Sequence, residues 1–171
     1  MGNGFASVQR YEEIHLVAWS MGVWAASIAL KNVKIASATA INGTEMPVDD
    51  EFGIPEQIAS GTLETLTYET LSRFNRRMCL SAQVLELFNA NAPQRNINDL
   101  KDELLAIYRQ AKEVPQSSVV WNRVVIGCND RIFPFSNQER FWATKETTKI
   151  EVIDAPHYPF YLWNEWREIL F

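Results

Sequence analysis

The stretch HLVAWSMGVWAASIAL, residues 15–30, places a serine where an apolar run ends and a helix-forming run begins. A continuously apolar run of this length is typical of a strand buried on both faces. Residues 18–22 have the form small-x-Ser-x-small, which predicts a sharp strand-to-helix turn with Ser20 as a nucleophile in strained backbone geometry. Ala18 and Gly22 are expected to be small because they approach each other at the turn. A serine that only caps a helix is the alternative.

The residues beside Ser20 predict parts of the same site. The backbone N–H of Met21, at the start of the following helix, is expected to point where an oxyanion would form. Trp19 and Met21 are candidates to line an acyl tunnel and are equally well explained as core. Trp24 is predicted to be core.

A nucleophilic serine needs a base and an orienting acid. His15 lies in the strand before Ser20, too far along it to reach the hydroxyl, so we interpret it as structural. His157 follows the last predicted strand, where an α/β-hydrolase carries its base, and Asp130 follows the preceding one. Asp154 competes with Asp130 for the acid role, but it is expected to finish a strand and to point away.

The totals exclude several classes of protein. The 171 residues suit one domain, and the 47% hydrophobic and 22% charged content is that of a globular chain. A formal net charge of -5 disfavours nucleic acid as a partner. No apolar run predicts a membrane span or a signal peptide, and the two cysteines, Cys79 and Cys128, suit a reducing compartment. We therefore expect a cytoplasmic protein without a membrane partner.

Strand and helix patterns alternate along the chain, which predicts an α/β-hydrolase-like parallel sheet with about four strands. Strand patterns lie within residues 14–19, 34–43, 119–130 and 147–157; the second ends in a turn signal, the third ends in a loop, and His157 lies just past the fourth strand. Helical patterns lie within residues 21–32, 62–91, 96–113, 137–145 and 160–171. Residues 1–55 and 114–171 are predicted to form the hydrolase core, and residues 56–113 a helical cap insert. No cysteine-histidine cluster and no glycine-rich phosphate loop is present, so no metal or cofactor is predicted.

Four stretches carry a resemblance to a known family. LVAWSMGVWAA (16–26), ATAINGTEMPVDDEFGIP (38–55), RFNRRMC (73–79) and APHYPF (155–160) resemble the BioG-type pimeloyl-[acyl-carrier-protein] methyl ester esterases. These are α/β-hydrolases of biotin synthesis, and the resemblance runs from about Ile14 to the C-terminus. It implies a catalytic triad of Ser20, Asp130 and His157. It also implies acyl carrier protein as partner, carrying the pimeloyl methyl ester that is hydrolysed.

The N-terminal region departs from that family. Members have strands before the nucleophile strand and a glycine/tryptophan loop that supplies a second oxyanion donor, whereas nineteen residues precede Ser20 here. We therefore expect a truncated chain or a partner that supplies the rest, and an exposed apolar edge at residues 14–19. Loss of one oxyanion donor typically slows such enzymes by about a hundred- to a thousandfold, so weak or no activity is expected.

Three arginines in the predicted cap share a helix face, because Arg73, Arg76 and Arg77 follow i, i+3, i+4 spacing. Such a face would hold an acidic carrier protein and the phosphate of its phosphopantetheine. A solvated helix face, or pairing with the acidic residues at 48–51, is the alternative.

Three functions therefore stay open at this stage. The first is hydrolysis of the carrier-bound methyl ester by a serine-histidine-aspartate mechanism. The second is a general short-chain esterase or thioesterase. The third is a truncated, catalytically impaired hydrolase remnant.

Overall fold

The computed structural model describes residues 11–111, 117, 119–146 and 148–170. They contain one sheet of four parallel strands in the order β1-β2-β3-β4. The predicted α/β-hydrolase-like fold is confirmed. Residues 1–10 and the boundary predicted at residue 114 lie outside the described residues. The strands are β1 (His15–Trp19), β2 (Ser37–Ile41), β3 (Arg123–Gly127) and β4 (Lys149–Ile153).

Seven α-helices connect and flank these strands in the described part of the chain. Four of them, α2 to α5, lie between β2 and β3, in the segment predicted to be a cap, and the division into core and cap stays a prediction. The helices are α1 (Gly22–Ala29), α2 (Glu56–Thr65), α3 (Tyr68–Cys79), α4 (Ala82–Asn91), α5 (Ile97–Gln110), α6 (Phe135–Trp142) and α7 (Trp166–Leu170).

The helical stretch expected at residues 62–91 is divided among three helices, because side-chain caps separate α2, α3 and α4. Thr67 forms a capping box with Thr70 at the start of α3. Leu80 ends α3 with a positive φ of 61°, and the Ser81 hydroxyl then accepts from the Val84 N–H to begin α4. Capping hydroxyls satisfy N–H groups that a new helix leaves without partners, so they favour a fresh start over continuation.

The closing helix predicted over residues 160–171 is also interrupted. A short 3₁₀ turn covers Phe160–Leu162, Trp163 is extended, and α7 begins only at Trp166. The Asn164 N–H donates to Glu168 Oε2 at 2.8 Å, so the second helix has its own side-chain cap.

The core lies on both faces of the sheet. Ala18, Ala40 and Ile126 point to the face covered by α1 and α6, where Trp142 is fully buried. Ile41 and Val125 point to the opposite face, against α7. Coverage of both faces explains why β1 (HLVAW) and β3 (RVVIG) are apolar over nearly their whole length, whereas β4 (KIEVI) alternates and is partly exposed.

A buried carboxylate fastens the α1 and α6 side of the core. Glu45 accepts hydrogen bonds from Ser27 Oγ at 2.8 Å and Trp121 Nε1 at 2.9 Å, and it forms an ion pair with Lys145 at 3.1 Å. Burial by itself would raise the pKa of Glu45, but hydrogen bonds from Ser117, Trp121 and Ser27 and the Lys145 charge outweigh it and lower the pKa.

The helices between β2 and β3 pack on the core through a second apolar cluster. Met78 and Cys79 of α3 and Val84 of α4 meet Ile132 and Phe133, which follow β3. Burial raises the pKa of the Cys79 thiol, as expected for a packing cysteine. No helix in the described ranges is both long and apolar enough to cross a bilayer.

Candidate active site

Ser20 lies at the tip of a strained turn between β1 and α1. Its φ is 57°, in the left-handed region that side-chain-bearing residues rarely adopt. Its N–H donates to Ile41 O at 2.9 Å, and its own carbonyl accepts from the Val23 N–H at 3.1 Å. The turn therefore belongs to the hydrogen-bonded end of the sheet, and it presents the Ser20 hydroxyl there.

The close approach expected at Gly22 is not observed, since a Cβ there would meet no atom within 4 Å outside its chain neighbours and the backbone of its own helix. The tight contact is at Gly43 instead, where a Cβ would lie 2.2 Å from the Ser20 carbonyl oxygen. Gly43 follows β2, the neighbouring strand, so the space around the serine is limited by a segment distant in sequence.

The structure brings the three predicted side chains together. His157 Nε2 lies 3.0 Å from Ser20 Oγ, and His157 Nδ1 lies 2.7 Å from Asp130 Oδ2. A carboxylate only accepts hydrogen bonds, so Nδ1 carries the proton of a neutral imidazole and Nε2 is left as an acceptor for the serine hydroxyl. His157 and Asp130 are both buried. The arrangement suits proton transfer from the serine to the imidazole.

Asp130 is held on both carboxylate oxygens. Oδ1 accepts from the backbone N–H groups of Ile132 and Phe133, both at 2.8 Å. Oδ2 accepts from His157 and, at 3.1 Å, from the side-chain amide of Gln138 in α6. All four lone-pair directions of the carboxylate are thus used.

The other two candidates lie elsewhere. Asp154, the competing acid, follows β4 and accepts from Asn129 Nδ2 at 2.6 Å, so it fastens the loop after β3. His15, interpreted as structural, has Nδ1 2.7 Å from Ser37 Oγ on the adjacent strand.

The backbone of His157 is held by two side chains from neighbouring strands. The Trp19 indole donates to His157 O at 2.8 Å. Asn42 donates through Nδ2 to Pro156 O and to His157 O, both at 3.0 Å, and accepts from the Gly127 N–H at 2.7 Å. Asn42 is fully buried and has a φ of 47°. It therefore joins the loop that carries His157 to the end of β3, a role its sequence context did not reveal.

An apolar cavity of about 320 Å³ opens beside Ser20. Trp19, Met21 and Ile132 contribute from the sheet side, while α2, α3 and α5 supply the rest of the wall. Trp19 also packs on His157, Tyr158 and Phe160, so it belongs to both the cavity and the core. Lining residues from the helices include Ile58, Leu66, Phe74, Leu100, Leu104 and Ile107.

Met21 is the N-cap of α1 and lies next to Ser20 in the cavity wall. The first N–H groups of a helix have no intrahelical acceptor and carry the positive end of its dipole. The Met21 N–H therefore has the chemistry of an oxyanion donor, and that role stays a prediction. Trp24, predicted as core, is 5% exposed.

Charged side chains reach the cavity at two places. Glu103 is ion-paired with Arg95, so its charge is balanced. Arg77 lines the cavity and lies 5.7 Å from the Phe74 ring centroid in a cation–π contact.

Arg77 also lines a second, more polar groove of about 470 Å³ between α2 and α3, which it shares with Arg73. The groove and the cavity have Ile58, Thr62, Leu66, Phe74 and Arg77 in common. Arg73 pairs with Glu69 one turn earlier, and Arg76 is exposed outside both walls. The described residues contain no ion pair between these arginines and residues 48–51, so that alternative is not observed.

Comparisons with known proteins identify the family and the fold of the chain. A family model described as pimeloyl-ACP methyl esterase BioG matches residues 5–169. The crystal structure of BioG from Haemophilus influenzae superposes with a TM-score of 0.89 at 35% identity, over 96% of this chain and 76% of that one. An esterase from Exiguobacterium antarcticum is similar in fold, with a TM-score of 0.57 at 15% identity, over 97% of this chain and 66% of that one.

A third similarity is to a longer protein. The malonyl-[acyl-carrier protein] O-methyltransferase of Bacteroides fragilis (strain 638R) is 49% identical over 150 residues. The aligned region is 86% of this chain and 30% of that protein, so this chain spans less than a third of the relative's length.

Proposed function

The chain belongs to the pimeloyl-ACP methyl esterase BioG family, and from that premise we propose that it hydrolyses the methyl ester of pimeloyl-[acyl-carrier protein] in biotin synthesis. The observation that carries the proposal is the hydrogen-bonded series Ser20, His157, Asp130 at the mouth of an apolar cavity. The proposed catalytic residues are these three, with Met21 as an oxyanion donor.

The first half of the proposed reaction forms an acyl-enzyme. His157 Nε2 takes the Ser20 proton as Oγ attacks the ester carbonyl, and the buried carboxylate of Asp130 stabilises the resulting imidazolium. The negative oxygen of the tetrahedral intermediate is stabilised by the Met21 N–H at the start of α1. The imidazolium then gives its proton to the leaving methoxide, and methanol departs.

Water then hydrolyses the acyl-enzyme, and His157 acts as the base again. His157 accepts a proton from the attacking water, and hydroxide adds to the acyl carbonyl. Ser20 leaves as the alcohol after regaining a proton from the imidazolium. The product is a free carboxylate at the distal end of the pimeloyl chain, still attached to its carrier at the other end.

The cavity and the adjoining groove support a substrate of this shape. The apolar walls suit the methylene chain, and the groove between α2 and α3 continues from the cavity at Phe74 and Arg77. We propose that the carrier's phosphopantetheine arm leaves along this groove. The exposed arginines Arg73, Arg76 and Arg77 would attract its phosphate and the acidic carrier surface.

The methyltransferase name of the Bacteroides fragilis relative is not transferred to this chain. The aligned 30% of that protein corresponds to 86% of this hydrolase-like chain. A serine activated by a histidine serves attack on a carbonyl, whereas methyl transfer requires a site for a methyl donor. We propose that the named methyltransferase activity belongs to the remaining length of that relative.

The test is conversion of pimeloyl-[acyl-carrier protein] methyl ester by the full chain, followed as methanol release and as loss of one methylene in intact-mass spectra. Ser20→Ala is the matched control, because it removes only the hydroxyl. We expect turnover by the parent chain and a loss of at least about a thousandfold in the variant. Equal rates for the two proteins would overturn the proposal.

A general esterase is distinguished by substrate choice. A general enzyme would hydrolyse p-nitrophenyl butyrate better than the carrier-bound ester and would not restore growth of a biotin auxotroph that lacks the esterase. An impaired remnant would turn over neither substrate, and Ser20 would also fail to react with a fluorophosphonate. Either pattern would contradict the proposed function.

A further inference from the structure

Gln138 lies in α6, outside the three residues of the triad, and is fully buried. Its Nε2 donates to Asp130 Oδ2 at 3.1 Å and to Phe133 O at 2.8 Å. Asp130 Oδ2 is the oxygen that also accepts from His157 Nδ1. Gln138 is therefore one hydrogen bond from the acid and two from the base.

The orientation of the Gln138 amide is determined by its neighbours. Nε2 faces two acceptors, Asp130 Oδ2 and Phe133 O, so a flipped amide would set an oxygen against both. The other end, Oε1, is buried without a hydrogen-bond partner in the described structure. An unsatisfied buried oxygen is destabilising, so a methionine or leucine here would suit a purely structural position better.

We infer that Gln138 is a positioning residue for the triad, acting through Asp130, and this inference rests on the proposed function. Two backbone N–H groups fix Asp130 Oδ1, but they alone leave Oδ2 free to turn out of line with the imidazole. The Gln138 amide fixes Oδ2 in the plane in which it meets His157 Nδ1. It also stabilises the carboxylate charge that is needed when the imidazolium forms.

The variant Gln138→Met keeps the volume of the side chain and removes the donor. In the full chain, with p-nitrophenyl butyrate as probe, we expect kcat to fall by about ten- to a hundredfold, the range for a hydrogen bond to a charged group. KM is expected to stay within about twofold, because Gln138 does not line the cavity. The rate at which a fluorophosphonate labels Ser20 should fall by the same factor as kcat.

A double-mutant cycle separates positioning from general support of the fold. If Gln138 acts through Asp130, then Gln138→Met should have no further effect on kcat in an Asp130→Ala background. An equal loss of kcat in both backgrounds, or parental kcat in the folded single variant, would overturn the inference. Should Gln138→Met fail to fold, Gln138→Leu takes its place, because it also removes the donor, and parental kcat in that variant would have the same meaning.

The neighbouring residue provides a matched control. Asn137 is also buried in α6, and its amide donates to Asp50 O and Gly53 O, away from the triad. Asn137→Leu should lower the melting temperature while kcat stays close to the parental value, and a loss of kcat as large as that of Gln138→Met would count against a specific role.

If Ser20→Ala and Asp130→Ala keep parental turnover, the proposed function itself fails. If only Gln138→Met keeps it, the failure is confined to this inference.

Discussion

The side-chain amide of Asn42 donates to the backbone carbonyl of His157 at 3.0 Å, which ties the proposed base to the end of β2. The same side chain binds Pro156 O and the Gly127 N–H, so one buried residue connects β2, β3 and the loop after β4. The position of the histidine therefore depends on three hydrogen bonds that lie outside the triad.

Asn42→Leu, which keeps the approximate volume, should be strongly destabilising. It leaves the Gly127 N–H and Pro156 O without this partner, while His157 O keeps the Trp19 indole, and we expect the free energy of unfolding to fall by about 3 kcal/mol. Urea denaturation measures this value. Asn91→Ala removes an exposed amide that donates to Leu87 O, and it should change the free energy by less than about 0.5 kcal/mol. Equal effects of the two substitutions would contradict the assignment.

Gly43→Ala should disturb the nucleophile directly. The added Cβ would lie 2.2 Å from the Ser20 carbonyl oxygen. That oxygen is a backbone atom, so it cannot rotate away as the end of a side chain could. We expect a loss of about 1–3 kcal/mol in unfolding free energy and slower labelling of Ser20 by a fluorophosphonate. Gly22→Ala is the stability control, because a Cβ at Gly22 would meet no atom within 4 Å outside its chain neighbours and its own helix backbone. The expected change is below about 1 kcal/mol. A Gly43→Ala protein with parental stability would show that the turn relaxes easily.

The lowered pKa of Glu45 predicts a specific pH dependence of the free energy of unfolding. Because its pKa is lowered in the folded protein, its contribution is present above the pKa of the unfolded chain and is lost as pH falls through the folded value. At pH 7, Glu45→Gln should therefore unfold more easily than the parent. Urea denaturation between pH 7 and pH 3 should show the difference shrinking below about pH 4.5, the ordinary value for glutamate. A constant difference over that range would argue that the charge on Glu45 contributes nothing.

Arg76→Glu should weaken recognition of the carrier without affecting the chemistry. Arg76 is exposed on α3 and does not line the cavity, so turnover of p-nitrophenyl butyrate should not change. For the carrier-bound ester we expect KM to rise by about tenfold at low salt and the difference to shrink near 0.5 M salt, where charges are screened within about 5 Å. The control is Lys34→Glu. Lys34 is exposed and lies just before β2, at the amino end of the strands. The same KM increase in both variants would indicate a net-charge effect only.

Leu104→Trp should shorten the cavity that the acyl chain is proposed to occupy. Leu104 lies in the wall formed by α5, and an indole there would fill part of the volume of about 320 Å³. We expect kcat/KM for p-nitrophenyl octanoate to fall at least about tenfold relative to p-nitrophenyl acetate, because the longer chain loses its apolar contacts. Ala106→Trp places the same side chain on the exposed face of α5 and should leave the ratio unchanged. If Leu104→Trp leaves the ratio of the octanoate and acetate kcat/KM values unchanged, the acyl chain binds outside this cavity.

The sequence by itself determined the sheet and the three residues of the proposed triad. Ser20, Asp130 and His157 each follow a predicted strand, and in a parallel sheet the carboxyl ends of the strands lie at one edge. Three local patterns were therefore enough to predict that these side chains meet. The helix starts at Thr67 and Ser81 were also open to prediction from local chemistry, because both are good capping residues, although the apolar pattern through 62–91 obscured them.

Only the tertiary structure decided how those side chains are held. Asn42 reaches carbonyls 114 and 115 positions away in sequence, and Gly43 is small because of a carbonyl on another strand. Gln138 meets Asp130 because the loop that follows Asp130 brings α6 back to that residue. Periodicity and capping are properties of neighbouring residues, whereas these contacts depend on how strands and helices pack. A single sequence carries no local signal for them.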